Sequence, residues 1–198
     1  MKKPLCIDLF CGLGGWAAGF LAEGYRVIGF DTMRHDYGNG TYPGDLVIQD
    51  CRTLHGSQFK NANVIVASPP CQEYSYRMMP WSRARALPPP SNQLFNTCFR
   101  IQWEASKAAG HLIPLIVENV RGAQKWVGPA KWHHGSYFLW GDVPALMPYG
   151  TGTKGYAPWI NDTDFAKKNS ESAVRRAAVA RVSMVPFALA QYIAKVYR

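Results

Sequence analysis

Residues 67–75 read Ala-Ser-Pro-Pro-Cys-Gln-Glu-Tyr-Ser, and the apolar run Val64-Ile65-Val66-Ala67 leading into them reads as a buried strand. Cys71 then stands just past the carboxyl end of that strand, where open α/β sheets hold their ligands. A second strand end follows at Ile113 to Val117, which runs into Glu118-Asn119-Val120. A third stretch, Asp-Leu-Phe-Cys-Gly-Leu-Gly-Gly at 8–15, sets Gly12, Gly14 and Gly15 where a strand turns into a helix, and glycines there let backbone approach a ligand closely. The spacing is not the Gly-x-Gly-x-x-Gly fingerprint, and a glycine turn also serves tight packing alone. Asp31, after the run Tyr25 to Phe30, is suited to accept hydrogen bonds from the two hydroxyls of a ribose, and Asp50, after Leu46 to Ile48, from an adenine amino group. Together they favour an adenosine-bearing cofactor; singly, each acid is more often a turn or a helix cap.

These residues need elements to position them. Short apolar runs at Leu5 to Phe10, Tyr25 to Phe30, Leu46 to Ile48, Asn63 to Ser68, Ile113 to Val117 and Tyr137 to Trp140 read as strands. Between them, Trp-Ala-Ala-Gly-Phe-Leu-Ala-Glu-Gly predicts a helix stopping at Gly24. Over Gln93 to Ala109, Leu94, Phe95, Cys98, Ile101, Ala105 and Ala108 recur at helical spacing, with Gly110 as the stop. A closing helix over residues 185–198 offers Phe187, Leu189, Ala190, Ile193, Ala194 and Val196 to a core. Strands alternating with helices predict an α/β fold with a doubly wound, mostly parallel, Rossmann-like sheet. Residues 76–92 and 141–169 break the rhythm as long loops.

The chain of 198 residues is long enough for one domain, and a hydrophobic content of 47% makes it globular rather than disordered. No run approaches the length of a membrane span, so a soluble protein with no membrane partner is expected. Five scattered cysteines without a Cys-x-x-Cys pair favour neither a disulfide framework nor a zinc cluster, and fit a reducing cytoplasm. A formal charge of +9 points towards a polyanionic partner.

The motifs resemble, in order, those of the cytosine-5 DNA methyltransferase family, in a compact form such as phages encode. Asp-Leu-Phe-Cys-Gly-Leu-Gly-Gly resembles its first motif, Asp31 and Asp50 its second and third, Ser-Pro-Pro-Cys-Gln-Glu-Tyr-Ser its catalytic motif, Val-Glu-Asn-Val-Arg-Gly its Glu-Asn-Val motif, and Val-Pro-Phe-Ala-Leu-Ala-Gln-Tyr-Ile-Ala its closing helix. The resemblance implies a Rossmann-like methyltransferase fold and methyl transfer from S-adenosylmethionine to carbon 5 of cytosine in DNA. It implies Cys71 as the nucleophile that adds to carbon 6, and Glu118 as the group that meets the ring's N3 and amino group. It places Asp8, Phe10, Gly12, Gly14 and Gly15, with Asp31, Asp50 and Pro70, around the cofactor. Gln72, Ser75 and Asn119 fall at the substrate, with Asn119 fixing the loop. Arg77, Arg83 and Arg85 are suited to grip phosphates while a base of duplex DNA is flipped out, and Arg175, Arg176 and Arg181 to serve likewise. No metal site is implied.

Two departures bear on this. The family's arginine-x-arginine strand is replaced by Ala-Lys-Trp-His-His-Gly-Ser-Tyr-Phe-Leu-Trp-Gly, where Lys131, His133 and His134 are given no catalytic role, and its Gly-Asn before the closing helix becomes Val182-Ser183. Only residues 141–169 stand where the family inserts a target recognition domain, so the whole of 1–198 is expected to be one catalytic domain, monomeric, with relaxed readout or a specificity partner protein. Its setting would be the cytoplasm of a bacterium or a phage-infected host. Two rivals remain open: the same chemistry on transfer RNA or a free cytosine nucleotide, and a noncatalytic DNA-binding or regulatory homologue.

Overall fold

The computed structural model describes residues 2–36, 41–75, 82, 86, 88–147, 177, 180, 181 and 183–198. Among these described residues seven strands form one sheet: β1 (Leu5–Leu9), β2 (Arg26–Asp31), β3 (Asp45–Ile48), β4 (Val64–Ala67), β5 (Leu115–Asn119), β6 (Trp132–His134) and β7 (Tyr137–Gly141). Their order is β3-β2-β1-β4-β5-β7-β6. The pairs from β3 through β5 are parallel, and β7 runs antiparallel to both β5 and β6. The order reverses between β1 and β4, so the crevice beyond their carboxyl ends is where an open sheet of this kind takes a ligand.

Side chains of the central strands alternate between two apolar layers, as a sheet covered on both faces requires. Ile7, Leu9, Ile65, Ala67, Leu115 and Val117 pack on one side with Phe95, Cys98, Ile101 and Ala105 of helix α2 (Gln93–Ala109). Cys6, Val64, Val66 and Ile116 pack on the other with helix α1 (Gly15–Ala22) and with Leu189, Ala190, Ile193 and Ala194 of the last helix. Between these two helices in the chain lies a one-turn helix α3 (Gln124–Val127), so the last is α4 (Phe187–Val196). The parallel doubly wound core is as expected, and α2 ends where the spacing placed it, at Gly110 with φ +76°.

Several expectations need correction. The chain adds an unforeseen antiparallel hairpin, β6 with β7, at the sheet edge. No α-helix joins β3 to β4; two 3-10 turns, Cys51–Thr53 and Gly56–Phe59, make the crossover. Ala108 of α2 and Phe187 and Val196 of α4 face solvent, because the helical face each layer covers is narrower than the apolar stripe. Glu118 and Asn119 close β5 itself rather than following it. The expected loop at 141–169 lies outside the described residues from 148 onward. Among the described residues no helix is long and apolar enough to cross a membrane.

Candidate active site

A cleft of about 710 Å³ opens at the switch point, and its walls come from the carboxyl ends of β1 to β5 and from the segment before α4. From β1 the chain enters the turn at Phe10, whose φ of +56° is unusual for a bulky side chain and is the kind of backbone strain found at ligand sites. Gly12 follows, its N–H donating to Asp31 Oδ2 at 2.9 Å. Asp31 Oδ1 accepts from Thr32 N–H at 2.8 Å and lies 3.3 Å from His35 Nε2. Asp31 thus fixes the glycine turn while facing the cleft. Asp50 also lines the cleft, but Arg52 forks onto its carboxylate, with Nε within 3.1 Å of Oδ1 and 2.9 Å of Oδ2, and Arg52 N–H caps it at 2.9 Å. Those hydrogen bonds hold the Asp50 carboxyl below its usual range.

Beyond β4 the cleft wall is Ser68, Pro69, Pro70, Cys71 and Gln72, and Glu118 enters from the end of β5. Glu118 is 2% exposed. Its register partner is Leu139, and Tyr137 lies diagonally from it on the same face of β7. Burial first and the Glu118 charge second push the Tyr137 hydroxyl up to about 12. Cys71 is half-buried, while the other four cysteines are buried. Burial pushes the Cys6 and Cys98 thiols well up, and that of Cys51 to about 12, so these sulfurs stay protonated in the range where proteins work.

The loop carrying Cys71 is held at several points. Asn119 Nδ2 donates to the Pro69 carbonyl at 2.9 Å, and its Oδ1 accepts from Val120 N–H at 2.8 Å. Tyr74 N–H closes a turn on the Cys71 carbonyl at 2.9 Å, and the Tyr74 hydroxyl donates to Asn92 Oδ1 at 2.9 Å. Glu73 accepts from Ser91 N–H at 3.2 Å. Trp16 Nε1 donates to Ser68 Oγ at 3.0 Å, a contact across 52 positions of chain with no local signal in the sequence.

Cys71, Glu118, Phe10, Gly12, Gly15, Asp31, Asp50, Pro70 and Gln72 therefore share one cleft. Asp8, Gly14, Asn119 and Ser75 do not stand on its wall. Asp8 takes the same face of β1 as Cys6, where it is fully buried, accepts from the Tyr42 hydroxyl at 3.0 Å and leaves Oδ1 without a partner among the described residues. Burial raises its pKa well above the ordinary value. Gly14, at φ +82°, is needed for packing: a Cβ there would come within 2.5 Å of Pro43. Asn119 is 1% exposed, and its side chain hydrogen-bonds the backbone of Pro69 and Val120. Ser75 is half-buried beyond the Tyr74 turn. Arg77, Arg83, Arg85, Arg175 and Arg176 lie outside the described residues; Arg181 is half-buried just before the segment that lines the cleft. Sequence reading missed Trp16, His35 and Met184 as cleft walls; Ser183, noted in the sequence as a departure from the family's Gly-Asn, lines the cleft as well. Among the described residues no group of three His, Cys, Asp or Glu side chains could hold a metal ion.

The family model of C-5 cytosine-specific DNA methylases matches residues 5–126, which span the glycine turn, Cys71 and Glu118. The chain belongs to this family. As a C-5 cytosine-specific DNA methylase family member it is 38% identical over 79 residues to the type II methyltransferase M.AplI of Arthrospira platensis, a stretch covering 37% of this chain and 22% of that protein. Among solved structures it is similar to a prophage-encoded protein of E. coli described as a DNA modification methyltransferase, at 26% identity and TM-score 0.44 over 63% of this chain and 34% of that one. It is also similar to the Dnmt2 methyltransferase of S. pombe, at 15% identity and TM-score 0.43 over 63% and 36% of the two chains. The family member thus spans about a fifth to a third of the length of these relatives.

Proposed function

We propose that the protein transfers a methyl group from S-adenosylmethionine to carbon 5 of cytosine in DNA, through a transient covalent bond between Cys71 and the ring. The observation that carries this is that Cys71, from the loop after β4, and Glu118, from the end of the neighbouring β5, line one cleft together with the glycine turn and Asp31. The residues fit the cofactor. A Cβ at Gly12 would enter open space, which leaves the backbone bare at the cleft, and Asp31 offers carboxylate oxygens beside it. When bound, S-adenosylmethionine would supply an electrophilic methyl, its sulfonium S–CH3 bond breaking to leave S-adenosylhomocysteine.

The chain's own groups do the rest. Cys71 Sγ, as thiolate, bonds to carbon 6, and the ring's electrons move towards carbon 5, which becomes nucleophilic. Glu118 gives a proton or hydrogen bond at N3 and accepts a hydrogen bond from the amino group as this happens, a role that asks its buried carboxyl to share a proton. Once carbon 5 carries the methyl, water takes the carbon 5 proton, the ring double bond re-forms and Cys71 leaves as thiolate. Pro69 and Pro70 limit the loop's freedom, so less entropy is lost in reaching attack geometry. The DNA is read as duplex, with the target base flipped at a cost of about a few kcal/mol. Residues 1–198 are read as one catalytic domain.

Incubation with labelled cofactor and varied DNAs, followed by nucleoside analysis, tests the reading. Wild type should yield 5-methylcytosine, and Cys71→Ser should lose the activity by about a thousandfold or more. Equal yields from the two proteins would remove the proposed nucleophile.

A further inference from the structure

The segment carrying Cys71 is poor in backbone anchors. The β4 ladder ends with Ser68 N–H donating to the Leu9 carbonyl at 3.2 Å, and the next two residues, Pro69 and Pro70, have no N–H to donate. Two side chains make up for this from the elements on either side of β4. Asn119 reaches the Pro69 carbonyl from β5, and Trp16 reaches Ser68 Oγ from the first turn of α1. Trp16 is 2% exposed, and its indole N–H is committed to this acceptor, as a buried polar group requires. The same residue directly follows the glycine turn, and Gly12, Leu13, Gly15 and Trp16 all line the cleft with Ser68 and Cys71. α1 itself is fixed against the chain before α4, since a Cβ on Gly15 would stand 2.6 Å from Val185 N. The indole therefore projects from a rigid base.

We propose that Trp16 is a positioning residue for Cys71: its N–H holds Ser68, and through the stiff Pro69-Pro70 pair it holds the thiol at its place on the cleft wall. The role rests on the reading of Cys71 as nucleophile. The bond also makes the glycine turn and the nucleophile loop one mechanical unit, so the two sides of the cleft keep their spacing. Asn119 acts on the same segment one residue later.

The test compares wild type, Trp16→Phe, Ser68→Ala and the double variant by two readouts. Phenylalanine keeps most of the ring packing and removes the donor; alanine removes the acceptor. Iodoacetamide alkylation of Cys71, followed by peptide mass spectrometry, reports release of the loop, and alkylation of the buried Cys98 reports general loosening. Each single variant should alkylate Cys71 faster by about two- to tenfold, the range spanned by one neutral hydrogen bond, with Cys98 unchanged and the double variant no faster than either single. Methyl transfer should move the opposite way, with kcat lower by a similar factor and KM for cofactor little changed. Alkylation of Cys71 at the wild-type rate in both single variants, a rise matched by Cys98, or effects that multiply in the double variant would each overturn the proposal. If wild type methylates no DNA, the proposed function falls, while the alkylation comparison still decides whether Trp16 holds this loop.

Discussion

Cys71 and Asp8 both sit near strand ends, yet the fold treats them in opposite ways. Cys71 projects from a proline-stiffened loop onto the cleft wall, whereas Asp8 is sealed inside the sheet face with the Tyr42 hydroxyl as its partner. Burial raises the Asp8 pKa well above its ordinary 3.8, so the folded protein holds this proton more tightly than the unfolded chain does. The resulting stability is fully present below the unfolded value and is lost as pH rises from there through the folded value. Asp8→Asn keeps the shape and an acceptor for Tyr42 but does not titrate. Its urea midpoint should therefore gain on wild type progressively as pH is raised from mildly acidic to mildly alkaline; parallel curves would show that Asp8 is not the titrating group. The family resemblance set Asp8 among the cofactor residues; the period-two alternation of β1, readable in the same five residues, puts it on the face of Cys6 and off the cleft wall. Cys71, Glu118, Gly12 and Asp31 were legible because each ends or follows a run whose length and apolar content mark a strand.

Among the elements, the helices were most legible where one face is strongly patterned. The α2 stripe of Phe95, Cys98, Ile101 and Ala105 with Gly110 beyond it defines both the element and its end. The β6 strand was not legible, because Trp132, His133 and His134 are partly exposed and mixed in polarity, and edge pairing rather than burial makes them a strand. The pairing of α1 with α4 was hidden for another reason: it depends on two glycines whose need appears only when the second helix arrives. A Cβ on Gly15 would meet Val185 N at 2.6 Å, and one on Gly19 would meet the Ala190 Cβ at 2.5 Å. Gly15→Ala should then destabilise the fold by about 1–3 kcal/mol, the usual cost of overpacking, despite alanine's better helix propensity. Chemical denaturation measures this, and a variant as stable as wild type would show that the chain before α4 yields to the added methyl.

At the scale of the whole molecule, the +9 formal charge is the property that a polyanionic substrate, as proposed, would exploit. If the substrate is DNA, apparent affinity should fall steeply as salt rises, with a log–log slope of about −0.9 for each phosphate neutralised. A free cytosine nucleotide would give a nearly flat dependence, so the salt series separates the two. The family could be read from ordered motifs and the parallel core from alternating strands and helices, but the strand order and the edge hairpin could not, nor could the Trp16 to Ser68 bridge that joins the glycine turn to the proline loop across 52 positions of chain. The central claim is a covalent bond from the position 71 sulfur to the pyrimidine ring. Its most direct test is incubation with S-adenosylmethionine and duplex DNA carrying 5-fluorocytosine, where fluorine cannot leave as the proton does. The account predicts a protein–DNA adduct that survives denaturant with wild type, mapped to Cys71 and missing from Cys71→Ser; no adduct from wild type, or one that persists in Cys71→Ser, would contradict it.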